Sequence, residues 1–66
     1  MAPRVFLTTT NDNLPALGLY QSLGFRIVRV RPDAVTRARE VKPQIPVTGY
    51  RGIPMRDELD LVREPD

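Results

Sequence analysis

The fold class predicted for this sequence is α/β, one half of a larger sheet, and three observations carry it. Two short alternating runs rich in β-branched and aromatic residues, "RVFLTTT" and "FRIVRVR", flank a helical segment with a start signal and a stop signal. A third alternating run, "RDELDLVRE", comes after a second helical stretch and a proline-rich loop. The resulting order, β-α-β-α-loop-β with about three strands, is too little to close a sheet with two covered faces.

Arg4 to Thr10 reads as a strand with Val5 and Leu7 on one face and Phe6 and Thr8 on the other. Asn11, Asp12 and Asn13 follow, each able to cap the free N–H groups of a helix start. Pro15 falls in the first turn, where its missing N–H costs nothing. Leu14, Leu17 and Gln21 trace one helical stripe and Ala16, Leu19, Tyr20 and Leu23 another, which predicts a short helix buried on more than one face. Gly24 suits the left-handed residue that ends it. In the strand Phe25 to Arg31, Phe25, Ile27 and Arg29 alternate with Arg26, Val28 and Val30. Apolar residues on both faces predict a central strand with its arginines near an end or edge. Pro32 stops it, and Asp33 can cap a second helix, "AVTRAREVK". That helix places Ala34, Val35, Ala38 and Val41 on the core stripe and Arg37, Arg39 and Glu40 in solvent. Lys42 to Met55 holds three prolines and two glycines and reads as an irregular loop. In the last strand Leu59, Leu61 and Arg63 oppose Glu58, Asp60 and Val62, so one face is polar. The carboxylates of Asp57, Glu58 and Asp60 are split between the faces and read as a solvated edge.

Sixty-six residues make at most one small domain. Folding at this size buries roughly 60% of the unfolded surface, and such domains usually add disulfides, metals or association. There is no cysteine and no histidine, which excludes disulfides, ordinary zinc sites and Ser–His or Cys–His nucleophiles. The glycines at 18, 24, 49 and 52 form no phosphate-binding loop pattern. A net charge of +2, with mixed signs and two Phe and two Tyr in all, argues against nucleic acid as a partner. No apolar run reaches the ~18 residues of a membrane span, and the first residues lack the apolar core of a signal peptide. The expected location is the cytoplasm, with the chain either associating with something or forming part of a larger fold.

The helix between the first two strands carries the chemistry-bearing pattern Asn13-x-x-Ala16-x-x-Leu19-Tyr20-x-x-x-Gly24-Phe25. This resembles the motif N-x-x-A-x-x-L-Y-x-x-x-G-F of the GNAT superfamily of N-acetyltransferases, and "TTNDNLPALGLYQSLGF" fits it at every marked position. The stretch "RPDAVTRAREVKPQIPVTGYRGIPMRDELDLV" looks like the C-terminal tail of a bacterial branch of that superfamily, so the resemblance covers nearly the whole chain. It implies a partial acetyltransferase fold over residues 1–66 and transfer of an acetyl group from acetyl-CoA to a primary amine. It implies that Asn13 contacts the pantetheine and diphosphate arm, that small Ala16 lets acetyl-CoA run close to the helix, and that Tyr20 is the general acid near the CoA sulfur. The superfamily's pyrophosphate loop, Q/R-x-x-G-x-G/A, lies upstream of this motif, and only Met1, Ala2 and Pro3 stand before the first strand here. The expectation is thus a C-terminal half without that loop: an incomplete transferase, one piece of a split assembly, or a non-catalytic remnant or interaction module. Its first strand would be an open edge, available to a complementary N-terminal half or to a second copy.

Overall fold

The computed structural model describes residues 3–65. The elements are β1 (Val5–Thr10), α1 (Leu14–Ser22), β2 (Arg26–Arg31), α2 (Ala34–Val41), a short 3₁₀ turn (Tyr50–Gly52) and β3 (Glu58–Arg63). The expected α/β order is present, and the three strands form one sheet in the order β1-β3-β2, antiparallel at both seams. β1 and β2 therefore run parallel to each other without pairing, with α1 as the crossover between them.

The expectation that the strand after α1 is central is overturned: β2 is an edge strand, and β3 occupies the middle. The physical reason lies in the side chains. An edge leaves room for Arg26, Arg29 and Arg31 to reach water, whereas the middle strand must be covered on both sides. β3 meets that need with Leu61, which is fully buried, and Val62. Leu61 lies across from Leu7 on one side and Ile27 on the other, making an apolar row through the sheet.

The regular alternation read for β2 also fails, because its register with β3 shifts between Ile27 and Arg29. Val28 is the extra residue of a β-bulge, which moves the following side chains to the opposite face. Ile27 and Val30 pair with Leu61 and Leu59, while Arg26, Arg29 and Arg31 pair with Val62, Asp60 and Glu58. All three arginines consequently share one face with Phe6 and Thr8, which pair with Val62 and Asp60 from the other side.

α1 keeps its expected ends. Asn13 is the N-cap, and its side chain accepts from the Ala16 N–H, while Pro15 sits in the first turn. At the other end Gly24 has φ +94°. Gly24 N–H donates to Gln21 O and Phe25 N–H to Tyr20 O, the two bonds of a Schellman motif. The expected burial on several faces is absent: Leu14, Leu19 and Leu23 are 46%, 56% and 53% exposed. α1 packs on β2, and three strands offer it no second surface. In α2 Val35 is the one buried residue, and Val41, expected in the core, is 81% exposed. The radius of gyration, 13.2 Å, exceeds the roughly 11 Å of a compact domain this long.

Candidate functional site

The three residues between β1 and α1 do three different jobs. Asn11 mimics a strand: its Nδ2 donates to Pro54 O at 2.8 Å, and its Oδ1 accepts from the N–H groups of Arg56 and Asp57, both at 3.0 Å. Asp12, buried, accepts from the Thr10 hydroxyl and, at 2.9 Å, from the Tyr50 N–H. Burial pushes its pKa up, but the hydrogen bonds from Thr10, the Tyr50 N–H and its own N–H outweigh that and hold it below the ordinary 3.8. Only Asn13 caps α1, with Oδ1 accepting from Ala16 N–H at 3.4 Å and Nδ2 donating to Thr9 Oγ1 at 3.1 Å. A side-chain amide has two N–H donors and two acceptor lone pairs, so one of each stays free for a ligand.

Asn13, Ala16 and Tyr20 are spaced i, i+3 and i+7, which puts them on one stripe of α1. All three are half-buried, while Leu14, Pro15, Gly18, Leu19 and Gln21 are exposed. The structure thus gathers the three sequence-predicted site residues on one helix face, with Asn13 about 10 Å from Tyr20 along the axis. The Tyr20 ring meets Phe25 at 5.8 Å between centroids, tilted by 58°. This is the apolar contact that accompanies a Schellman motif, so the Tyr-x-x-x-Gly-Phe spacing has a local structural origin too.

The opposite sheet face holds a polar network that the sequence reading dismissed. Asp60 accepts from the Thr8 hydroxyl (2.8 Å), Arg29 Nε (2.9 Å) and an Arg31 NH₂ group (2.8 Å). Arg31 also lies 3.4 Å from Glu58 Oε1. The Thr8 hydroxyl, followed by the two arginines, holds the Asp60 carboxyl below the ordinary 3.8 against the cost of its partial desolvation. The solvated-edge reading of Asp57, Glu58 and Asp60 is therefore corrected; Asp57 accepts from the Asp33 N–H at 2.8 Å. Pairing of Arg29 with Asp60 needed the bulge, which leaves no mark in the sequence, whereas Thr8 meets Asp60 in the unbroken register of β1. Phe6, Leu7 and Val28 complete an open groove of about 550 Å³ around this network.

Two further expectations change. Asp33 does not cap α2; it has φ 61° and makes no side-chain capping bond. The Arg56 carbonyl receives the Val35 N–H at 2.9 Å instead. Arg39 is not a solvated residue of α2, because its guanidinium donates to the carbonyls of Ile45 (3.2 Å), Pro46 (2.9 Å) and Met55 (2.8 Å). It clamps both arms of the irregular loop. Among the described residues no cluster of three carboxylate, His or Cys groups could hold a metal ion, and no helix is long and apolar enough to cross a membrane.

No family model matches the chain, and no solved structure matches it. Two proteins of Bacillus subtilis (strain 168) are similar to it: uncharacterized protein YxbD, 49% identical over 61 residues, and uncharacterized protein YdhI, 46% identical over 56 residues. The matches take in 92% and 85% of this chain. The chain spans only 38% and 35% of the length of those relatives, and so is similar to a segment of each of two longer proteins.

Proposed function

We propose that the chain is the C-terminal part of a GNAT-type N-acetyltransferase, acting in the cytoplasm on acetyl-CoA and a primary amine. The observation that carries this reading is the half-buried stripe of Asn13, Ala16 and Tyr20 on a helix between two strands. Asn13, with one N–H and one lone pair left over from capping, contacts the pantetheine and diphosphate arm, and Ala16 leaves room for it. In the reaction the amine nitrogen attacks the thioester carbonyl; a C–N bond forms, and the C–S bond breaks with its electron pair on sulfur. Tyr20 Oη–H donates a proton to that thiolate while the amine gives one up to solvent. The pyrophosphate cradle that the resemblance requires is not among these residues, and the acceptor pocket is assigned to the same further sequence.

The test has two readouts. Acetyl-CoA added to the isotope-labelled chain is expected to shift the amide signals from Asn13 to Tyr20, and an unmoved spectrum counts against cofactor recognition by this segment. In a longer protein carrying it, Tyr20→Phe is expected to lower kcat by roughly 10²-fold or more, the lower end of general acid–base effects, while acetyl-CoA affinity stays nearly unchanged. Equal losses in both make Tyr20 a packing residue. That outcome supports the second reading, a non-catalytic interaction module, which the purely structural use of Asn13, Gly24 and Phe25 as helix caps favours.

A further inference from the structure

Asp12 is shared by two consecutive turns between β1 and α1. The Asn13 N–H donates to Thr10 O at 3.1 Å, closing a β-turn over residues 10–13, and the Leu14 N–H donates to Asp12 O at 2.8 Å. With Asn13 at φ −80° and ψ 66°, the second is an inverse γ-turn, in place of the extended backbone that helix caps ordinarily adopt. The capping bond from Ala16 N–H to Asn13 Oδ1 is 3.4 Å, longer than a usual N–H···O bond. The direction of the Asn13 side chain is therefore set largely by the backbone of these turns, and Asp12 is the residue that ties them to the rest of the fold.

The Asp12 side chain is clasped from two sides. It is 6% exposed; one oxygen accepts from the Thr10 hydroxyl and the other from the Tyr50 N–H at 2.9 Å. The loop comes as near as backbone can, since a Cβ on Gly49 would run into Asp12 Oδ2. That loop is backed in turn by Asn11, on Pro54 O and on the N–H groups of Arg56 and Asp57, and by Arg39 on Met55 O. Every one of these contacts lies within the segment itself. We propose that Asp12 is a positioning residue for acyl transfer: its buried carboxylate, clasped by Thr10 and Tyr50, holds the double turn that aims Asn13 at the acetyl-CoA arm. This rests on the acyl-transfer reading of Asn13. Asp12 acts through Asn13 and not on the cofactor, because its own oxygens are buried and occupied, and a carboxylate facing the diphosphate would repel it.

The test is a double-mutant cycle on acetyl-CoA affinity, measured by titration calorimetry in a longer protein carrying this segment. Asn13→Ala is expected to raise the dissociation constant about tenfold, as the loss of one hydrogen bond to a charged arm would. Asp12→Ala is expected to raise it roughly three- to tenfold, and the double variant no further than Asn13→Ala alone, because Asp12 has only Asn13 to act through. Should Asp12→Ala fail to fold, Thr10→Val removes one side of the clasp at nearly constant shape and carries the same cycle. Its loss is expected to be at least about twofold and to vanish likewise in the Asn13→Ala background. Unchanged affinity in the variant that folds overturns the proposal, as does a loss that adds in full to that of Asn13→Ala. A wild-type protein that ignores acetyl-CoA, or an Asn13→Ala variant that binds it equally well, overturns the acyl-transfer reading of Asn13 and this inference with it.

Discussion

The two connections that lead out of β1 and β2 are held in different ways. α1 is fastened by bonds of short reach: Asn13 to Ala16 three residues on, Gly24 to Gln21, and Phe25 to Tyr20. The second connection, α2 with its loop, is fastened from far away. Asp12 holds the Tyr50 N–H across 38 positions, Asn11 holds Arg56 and Asp57 across 45 and 46, and Arg39 ties three loop carbonyls together. The difference teaches that one helix is specified by its own sequence, whereas the other segment has a shape only once β1 and its turn are in place.

The comparison can be broken most forcefully at Gly49. A Cβ there would lie 1.9 Å from Asp12 Oδ2, and that carboxylate is pinned by Thr10 and Tyr50 and cannot swing away cheaply. Gly49→Ala is expected to cost about 2–4 kcal/mol in urea unfolding at fixed chain concentration, through overpacking and a lost buried hydrogen bond. Arg39→Met should cost about 1.5–3 kcal/mol and accelerate amide exchange at Gly49 and Met55, which donate inside the loop, while Leu17 exchange stays slow.

Acid sharpens the same contrast. The folded-state values of Asp12 and Asp60 lie below 3.8, so the unfolded chain takes up protons first. Their stabilisation is complete above the ordinary aspartate range and is lost as the pH falls through the depressed values. The urea midpoint should be level from pH 7 to about 5 and fall steeply below 3.8. A midpoint that stays level to pH 3 contradicts this. The smallest effect is expected from Asn13→Ala, about 1 kcal/mol, with exchange increased only in the first turn of α1. Asn13→Ser should recover most of it.

What was legible in the sequence follows the same division. Strand, cap, helix and stop from Val5 to Phe25 could be read because each signal acts within about five residues of its source. Asn13, Ala16 and Tyr20 were marked by the resemblance to the N-x-x-A-x-x-L-Y-x-x-x-G-F motif, not by these local signals. The centre of the sheet could not: Leu61 and Ile27 are equally apolar in sequence, and only the bulge at Val28 decides which arginines face Asp60. Asp33 looked like a cap because aspartate is a good one, yet its left-handed backbone turns the side chain away from that use. Arg39 looked solvated because nothing within one helical turn marks the loop carbonyls it reaches.

The place of β3 has a consequence for how the chain comes into being. β1 and β2 do not pair with each other, so no pairing among these three strands is available until β3 exists, and β3 is the last of the three in chain order. Every sheet bond spans at least the interval from Arg31 to Glu58, a topology of non-local contacts that folds slowly. As the polypeptide emerges during synthesis, α1 can form early, but β1 and β2 cannot be joined before their shared neighbour arrives. Val5, Phe6, Ile27 and Val30 are exposed to chaperones and to misassembly throughout that interval. Loss of β3 would leave two strands with nothing to join them, whereas loss of β1 would still leave the pair β2 and β3.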